Sequence, residues 1–275
     1  MKTLWKFIVG AVLVAAPFAS AQAGEVLDRI MKNKELVLSS DAEYPPQSFL
    51  NENNEMDGFD VDVAKEIAKR FGAKLKIVTP AWEVITAGNW GSRWDVSVGS
   101  MTPTKARAKV LRFPAVYYYT PASFAVHKDS SAADVASLSG KKIGVCGGCT
   151  YEAYMKQNLV IDAVGTPAFT YQIAAGELRS YETDVNAFDD LRIGDGKRLD
   201  AVLSALPTIN EAIKNGYPMK LVGQPVFFEP LSVAIDKGDT ELGDKIAEIV
   251  SAMRADGTLA KLSNKWYGVD YTSAN

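Results

Sequence analysis

The stretch GFDVDVAKEIAKRFGAKLKIV, residues 58–78, decides the fold class. Apolar side chains fall at Phe59, Val63, Ala64, Ile67, Ala68 and Phe71, the stripe of an amphipathic helix whose other face is charged. Gly72 ends it, because a residue without a Cβ accepts the left-handed conformation that closes a helix. Residues 74–78, KLKIV, then read as a strand. Outward from this unit the alternation recurs. Residues 35–40, 94–99, 141–145 and 199–203 read as strands, and residues 150–156 and 241–255 as helices, the last stopping before Gly257. The expected class is α/β, with mainly parallel sheets flanked by helices.

Composition narrows the function. Of 275 residues 47% are apolar, enough for a folded core. Lys and Arg number 30 against 33 Asp and Glu, so no basic surplus exists to hold nucleic acid or an anionic membrane, and no nucleic-acid partner is expected. His127 is the one histidine. It excludes a His-rich metal site and is expected at the surface, outside any chemistry; neither metal nor cofactor is expected. Lys2 and Lys6 precede an apolar run over residues 7–16, and Ala21-Gln22-Ala23 closes the segment with small residues. That is a secretory signal, residues 1–23, with cleavage expected near Ala23. No later run reaches the roughly 18 apolar residues of a membrane span. The mature chain is expected to be a soluble periplasmic monomer.

Both cysteines lie in Cys146-Gly147-Gly148-Cys149. In an oxidising compartment they are expected to form a local disulfide. It closes so short a loop that its effect falls on the shape of one turn. A redox pair ahead of a helix is the alternative, but the rest of the chain does not look like thioredoxin.

Several blocks together resemble a known family. Residues 40–46 (SDAEYPP) followed by 58–62 (GFDVD), then 95–107 (DVSVGSMTPTKAR), 113–117 (FPAVY), 145–154 (VCGGCTYEAY), and 256–258 (DGT) with 265–268 (KWYG) occur in the order found in ABC-transporter solute-binding proteins. The resemblance is to the polar amino-acid-binding family, solute-binding protein family 3, and covers essentially the whole mature chain. It implies a two-lobe periplasmic binding protein fold of type II, each lobe a mainly parallel sheet with helices, joined by two crossing strands. The crossings are expected at residues 117–121 and 223–226. Lobe 1 would comprise residues 24–120 and 226–275, and lobe 2 residues 121–225. Implied partners are a small carboxylate ligand, an amino acid or a derivative, and the permease subunits of an ABC importer.

The resemblance also assigns roles. Arg107 would grip the ligand carboxylate with its planar, doubly donating guanidinium. Ser100 and Thr102 would add hydroxyl or backbone donors, and Thr150 with the Cys149 amide would grip the same group from lobe 2. Tyr44 and Trp82 would wall the ligand's apolar or cationic part, while Asp41 and Glu43 could meet a ligand cation. One position departs from the pattern. Ala205 stands where the family strand ends in an ammonium-binding acid. A buried ammonium needs a counter-charge. Either Asp41, Glu43, Asp184 or Glu229 takes over, or the ligand is an N-substituted amino acid or another small carboxylate. The expected function is capture in the cleft and delivery to the permease. The rivals are a dehydratase-like enzyme acting on a prephenate-type acid, and a sensing domain working through a separate partner.

Overall fold

The computed structural model describes residues 24–273; the expected secretory signal lies outside them. Helix α1 (Glu25–Asn33) leads into β1 (Glu35–Ser39). Strands β2 (Glu43–Tyr44), β3 (Ser48–Leu50) and β4 (Met56–Asp57) make a small antiparallel sheet that delivers the chain to α2 (Phe59–Phe71). Then come β5 (Lys74–Val78), α3 (Trp82–Thr86) and β6 (Val96–Met101). The long strand β7 (Leu111–His127) carries the chain to β8 (Lys142–Cys146), α4 (Thr150–Met155), β9 (Glu177–Tyr181), α5 (Asp184–Leu191), β10 (Ala201–Ala205) and α6 (Leu206–Lys214). A second long strand, β11 (Met219–Asp236), returns it to α7 (Thr240–Ala255) and α8 (Thr258–Tyr267).

Eight strands run in the order β5-β1-β6-β11-β7-β10-β8-β9. β1 is parallel to β5 and β6, and β8 is parallel to β9 and β10, so each lobe keeps a parallel trio. Between the trios β11 and β7 are antiparallel to each other and to their outer neighbours. These two strands are the crossings. Two large cores sit on either side. Ile30, Leu38, Phe59, Ile67, Val98, Tyr117, Leu231 and Ile246 belong to one, and Phe124, Val126, Ile143, Tyr154, Leu203, Val226 and Phe227 to the other.

Helix α2 has the bounds its stripe predicts, with Phe59, Val63, Ala64, Ile67 and Phe71 buried. Burying each large side chain stabilises the lobe by roughly 1.5–3 kcal/mol. Gly72, at φ 64°, takes the left-handed cap and donates its N–H to Ala68 and Lys69 carbonyls. Gly58 opens the helix at φ 126°, where an added Cβ would lie 2.3 Å from the Gln47 carbonyl oxygen. Only glycine fits there. Strand β6 starts two residues later than expected. It is buried at every position, so no alternation marks its ends. Asp95, just before it, accepts the Val37 N–H at 3.0 Å and pairs with Arg29, tying β6 to β1 and α1. One expectation is corrected: His127 is buried at the end of β7, its Nδ1 accepting the Asp129 N–H at 3.3 Å. A strand that continues into lobe 2 carries it inside.

Candidate ligand-binding site

A cavity of about 40 Å³ lies between the lobes, at the carboxyl ends of β1, β6 and β8 and beside β11. Of the expected site residues, Asp41, Tyr44, Trp82, Ser100, Thr102 and Arg107 line it from lobe 1, and Cys149 and Thr150 from lobe 2. Glu43 does not; its side chain is exposed, and its backbone N–H serves to cap Asp41 at 2.8 Å. Cys146 of the disulfide lines it too, and four residues join to which the resemblance gives no role at the ligand: Gly99 and Tyr151, within the quoted blocks, and Asp184 and Glu229, outside them. The sequence offers the last two as stand-ins for the acid missing at Ala205 and, with Glu43, as the acid or base that the rival enzyme reading would need. Tyr151 carried a signal, since it follows Thr150 directly and starts the buried 151, 154, 155 face of α4.

Arg107 sits in a short turn after β6, only 8% exposed. It donates to the Thr102 carbonyl at 2.9 Å and, across the cleft, to the Gly148 carbonyl at 3.0 Å. Its guanidinium lies 5.2 Å from the centroid of the Trp82 ring, a cation–π contact. Burial lowers its pKa to about 10, with Glu229 and Tyr151 opposing, so it stays cationic at neutral pH. A guanidinium has five N–H donors, and the two carbonyls leave others free for an anion.

Ser100 reaches the cavity wall with its donors turned inward. Its φ of 54° is rare for a residue with a side chain. The Ser100 N–H donates to the Tyr117 hydroxyl at 2.9 Å, and its Oγ donates to Asp60 at 2.6 Å and also meets the Tyr118 hydroxyl. Tyr117 donates in turn to Asp60 at 2.7 Å. Asp60 has no exposed surface, and burial pushes its carboxyl up to about 7 against the two hydrogen bonds.

In lobe 2, Cys146 and Cys149 are disulfide-bonded, with their Cα atoms 5.5 Å apart, and Cys149 is the N-cap of α4. Thr150 Oγ1 donates to Glu229, as does Thr102 Oγ1 at 2.8 Å, and the Tyr151 hydroxyl donates to the other Glu229 oxygen at 2.8 Å. The Tyr44 and Tyr151 hydroxyls meet at 3.3 Å across the cleft. Burial pushes both phenols well above their usual range. Asp184, 4% exposed at the start of α5, is pushed up to about 7 by burial, with Asp41 and Glu229 adding repulsion. Burial also raises Asp41 and Glu229.

Contacts beyond the cavity join the lobes as well. Gln47 donates to Thr208 Oγ1 at 3.0 Å. Main chain of residues 103–105 meets main chain of 160–162: Lys105 N–H donates to Val160 at 3.1 Å, Asp162 N–H to Pro103 at 2.9 Å, and Thr104 bridges Ile161 antiparallel. Among the described residues no group of three or more His, Cys, Asp or Glu is arranged to hold a metal ion.

Two α/β lobes, two crossing strands and a polar, aromatic-walled cleft define the class of two-lobed ligand-binding proteins, type II. Within that class, the model of the bacterial extracellular solute-binding proteins, family 3, matches residues 36–269, and the chain belongs to that family. It is 27% identical over 269 residues to the L-cystine-binding protein TcyJ of Escherichia coli K12, covering 96% of this chain and 95% of the relative. It is 27% identical to ABC transporter arginine-binding protein 1 of the same organism, covering 95% and 98%. Among solved structures, the ancestral amino acid-binding protein AncCDT-1, described as a precursor of cyclohexadienyl dehydratase, superposes with a TM-score of 0.75 at 31% identity, covering 88% of this chain and 99% of that one. The relatives named by their cargo are binding proteins, and the chain is read as one and not as an enzyme.

Proposed function

We propose that this chain is the extracytoplasmic substrate-binding subunit of an ABC importer, taking an amino acid or an amino-acid-derived small carboxylate into the interlobe cleft and handing it to the permease. The carrying observation is the convergence of Arg107 and Thr102 from lobe 1 with Thr150 and the Cys149 turn from lobe 2 on one cavity walled by Tyr44 and Trp82. The relatives' names, which cite cystine and arginine, support an amino-acid cargo. Arg107 would take the guest's carboxylate on its free donors. Asp184 and Asp41 are the acids best placed to replace the one missing at Ala205.

The lobes are taken as residues 24–120 with 226–275, and 121–225, with Val226 and Phe227 packing back onto lobe 2 from just beyond the border. A cavity of about 40 Å³ has room for about three waters. A guest therefore enters with the lobes apart and is enclosed by bending at β7 and β11. Residues 1–23 would direct export to the periplasm and be removed near Ala23, leaving a monomer.

A thermal-shift screen across amino acids, opines and small carboxylates tests the reading, because a bound ligand raises the melting temperature by mass action. At least one compound should shift the parent, and Arg107→Ala should abolish that shift. If Arg107→Ala binds as tightly as the parent, the site assignment is wrong.

A further inference from the structure

The charge in the cleft is lopsided. Asp41, Asp184 and Glu229 line it against one guanidinium, and no lysine is among the lining residues. Glu229 comes from β11, opposite Thr120 on β7, so it belongs to the crossing itself. It is 3% exposed. One of its oxygens accepts the hydroxyls of Thr102 and Thr150, one from each lobe, and the other accepts Tyr151. Those two threonines are the hydroxyls that the family resemblance gives to a guest's carboxylate. The chain has put a carboxylate of its own on them.

Building on the amino-acid-binding reading above, we propose that Glu229 sets the charge preference of the cleft. As a resident carboxylate it keeps a second carboxylate off Thr102 and Thr150 and draws the guest's cationic groups, so the cleft favours guests of net positive charge. Two carboxylates beside one pair of hydroxyls, in a space this short of water, repel strongly. A guest's carboxylate is left with the free donors of Arg107 on the Trp82 side. Its cationic groups find Glu229, Asp184 and Asp41, none of which has a basic ion-pair partner within 4 Å among the described residues. The faces of Tyr44 and Trp82 suit the same cations. A zwitterion without net charge would leave the acids uncompensated, and a dicarboxylate would add to them. Burial holds all three carboxyls above their ordinary range, Asp184 at about 7, with Arg107 opposing it at Glu229, so a guest's cation is what brings the acids fully to their charged form.

Isothermal titration of the parent and of Glu229→Gln with L-arginine, L-lysine, L-glutamine and L-glutamate tests this. The parent should bind at least one of the two cations about tenfold or more tighter than L-glutamine, with L-glutamate weakest. In Glu229→Gln, which keeps the shape and an acceptor oxygen, the gap between cation and L-glutamate should narrow by about tenfold. Glu229→Asp, which keeps the charge, should retain the order of preference. Binding of neither cation, equal or tighter binding of L-glutamate by the parent, or an unchanged gap in Glu229→Gln overturns the assignment. Should Glu229→Gln fail to fold, the parent's own ranking decides. If only neutral or acidic amino acids bind, capture of an amino acid stands and the role of Glu229 falls. If no compound of the broader screen shifts the melting temperature, both fall.

Discussion

The two lobes shape their cleft-facing turns by different means. In lobe 1 the strained Ser100 is held by hydrogen bonds to Tyr117 and to the wholly buried Asp60. In lobe 2 the turn that presents Gly148 to Arg107 is closed by the Cys146–Cys149 disulfide. The first device is a titratable network continuous with the lobe's core; the second is covalent and local. A turn held by a buried acid ties the geometry of the site to the stability of the fold, whereas a clipped turn leaves the two nearly independent. The buried acids differ in the same sense. Asp60 and Asp184 are both pushed up to about 7 by burial. Asp60 sits in a closed set of hydrogen bonds behind the floor of the cleft, while Asp184 faces the cavity.

The largest effect that can sharpen this contrast is in pH dependence. Asp60 is raised from 3.8 to about 7 in the folded state, so its contribution to stability is full below pH 3.8 and is lost as the pH rises through about 7. Within that window the loss is about 1.4 kcal/mol per pH unit. Denaturant unfolding of the parent and Asp60→Asn from pH 4 to 8 should show a flatter profile for the variant. Identical profiles would break the comparison. Next in size, Asp184→Asn should weaken binding of the cargo found in the screen by about tenfold and, because its carboxyl is raised to about 7 as that of Asp60 is, should also flatten the pH profile of stability. Calorimetry and melting temperature are measured together, and Asp60→Asn should move both, because the carboxylate it loses holds the cleft residue Ser100. An effect no larger, and confined to stability, is expected from replacing Cys146 and Cys149 together by serine. The closed loop is so short that the loss should be about 1–2 kcal/mol, with the same pH profile as the parent. A steeper loss would mean that the lobe 2 turn is as coupled to its core as that of lobe 1.

Much of this division could be read from the chain, and what could not has physical reasons. The stripe from Phe59 to Phe71 with its glycine stop located α2 because an amphipathic helix writes its period into sequence. The two long strands left no such mark. β7 contains Pro114 and Pro121 and β11 contains Pro225 and Pro230, residues that usually argue against a strand interior. Burial on both sides also removes alternation from the middle of each. In the cleft, Arg107, Thr102, Thr150, Tyr44 and Trp82 were legible through the order of the family blocks. Asp60 was not: in GFDVD it reads as an ordinary first-turn acid of a helix, favourable to the dipole, and nothing local says that it points inward. Glu229 was legible only as a carboxylate of unknown direction, because a β-strand residue faces one side or the other according to a register set by partners more than a hundred positions away.

The seam between residues 103–105 and 160–162 is sewn with main-chain atoms alone. It is therefore blind to side-chain identity: Thr104 and Ile161 can drift while the stitches hold, but a single inserted or deleted residue on either edge throws them out of step. Cargo preference in this lineage can then diversify by point changes inside the cleft, with length, more than chemistry, policed at its rim.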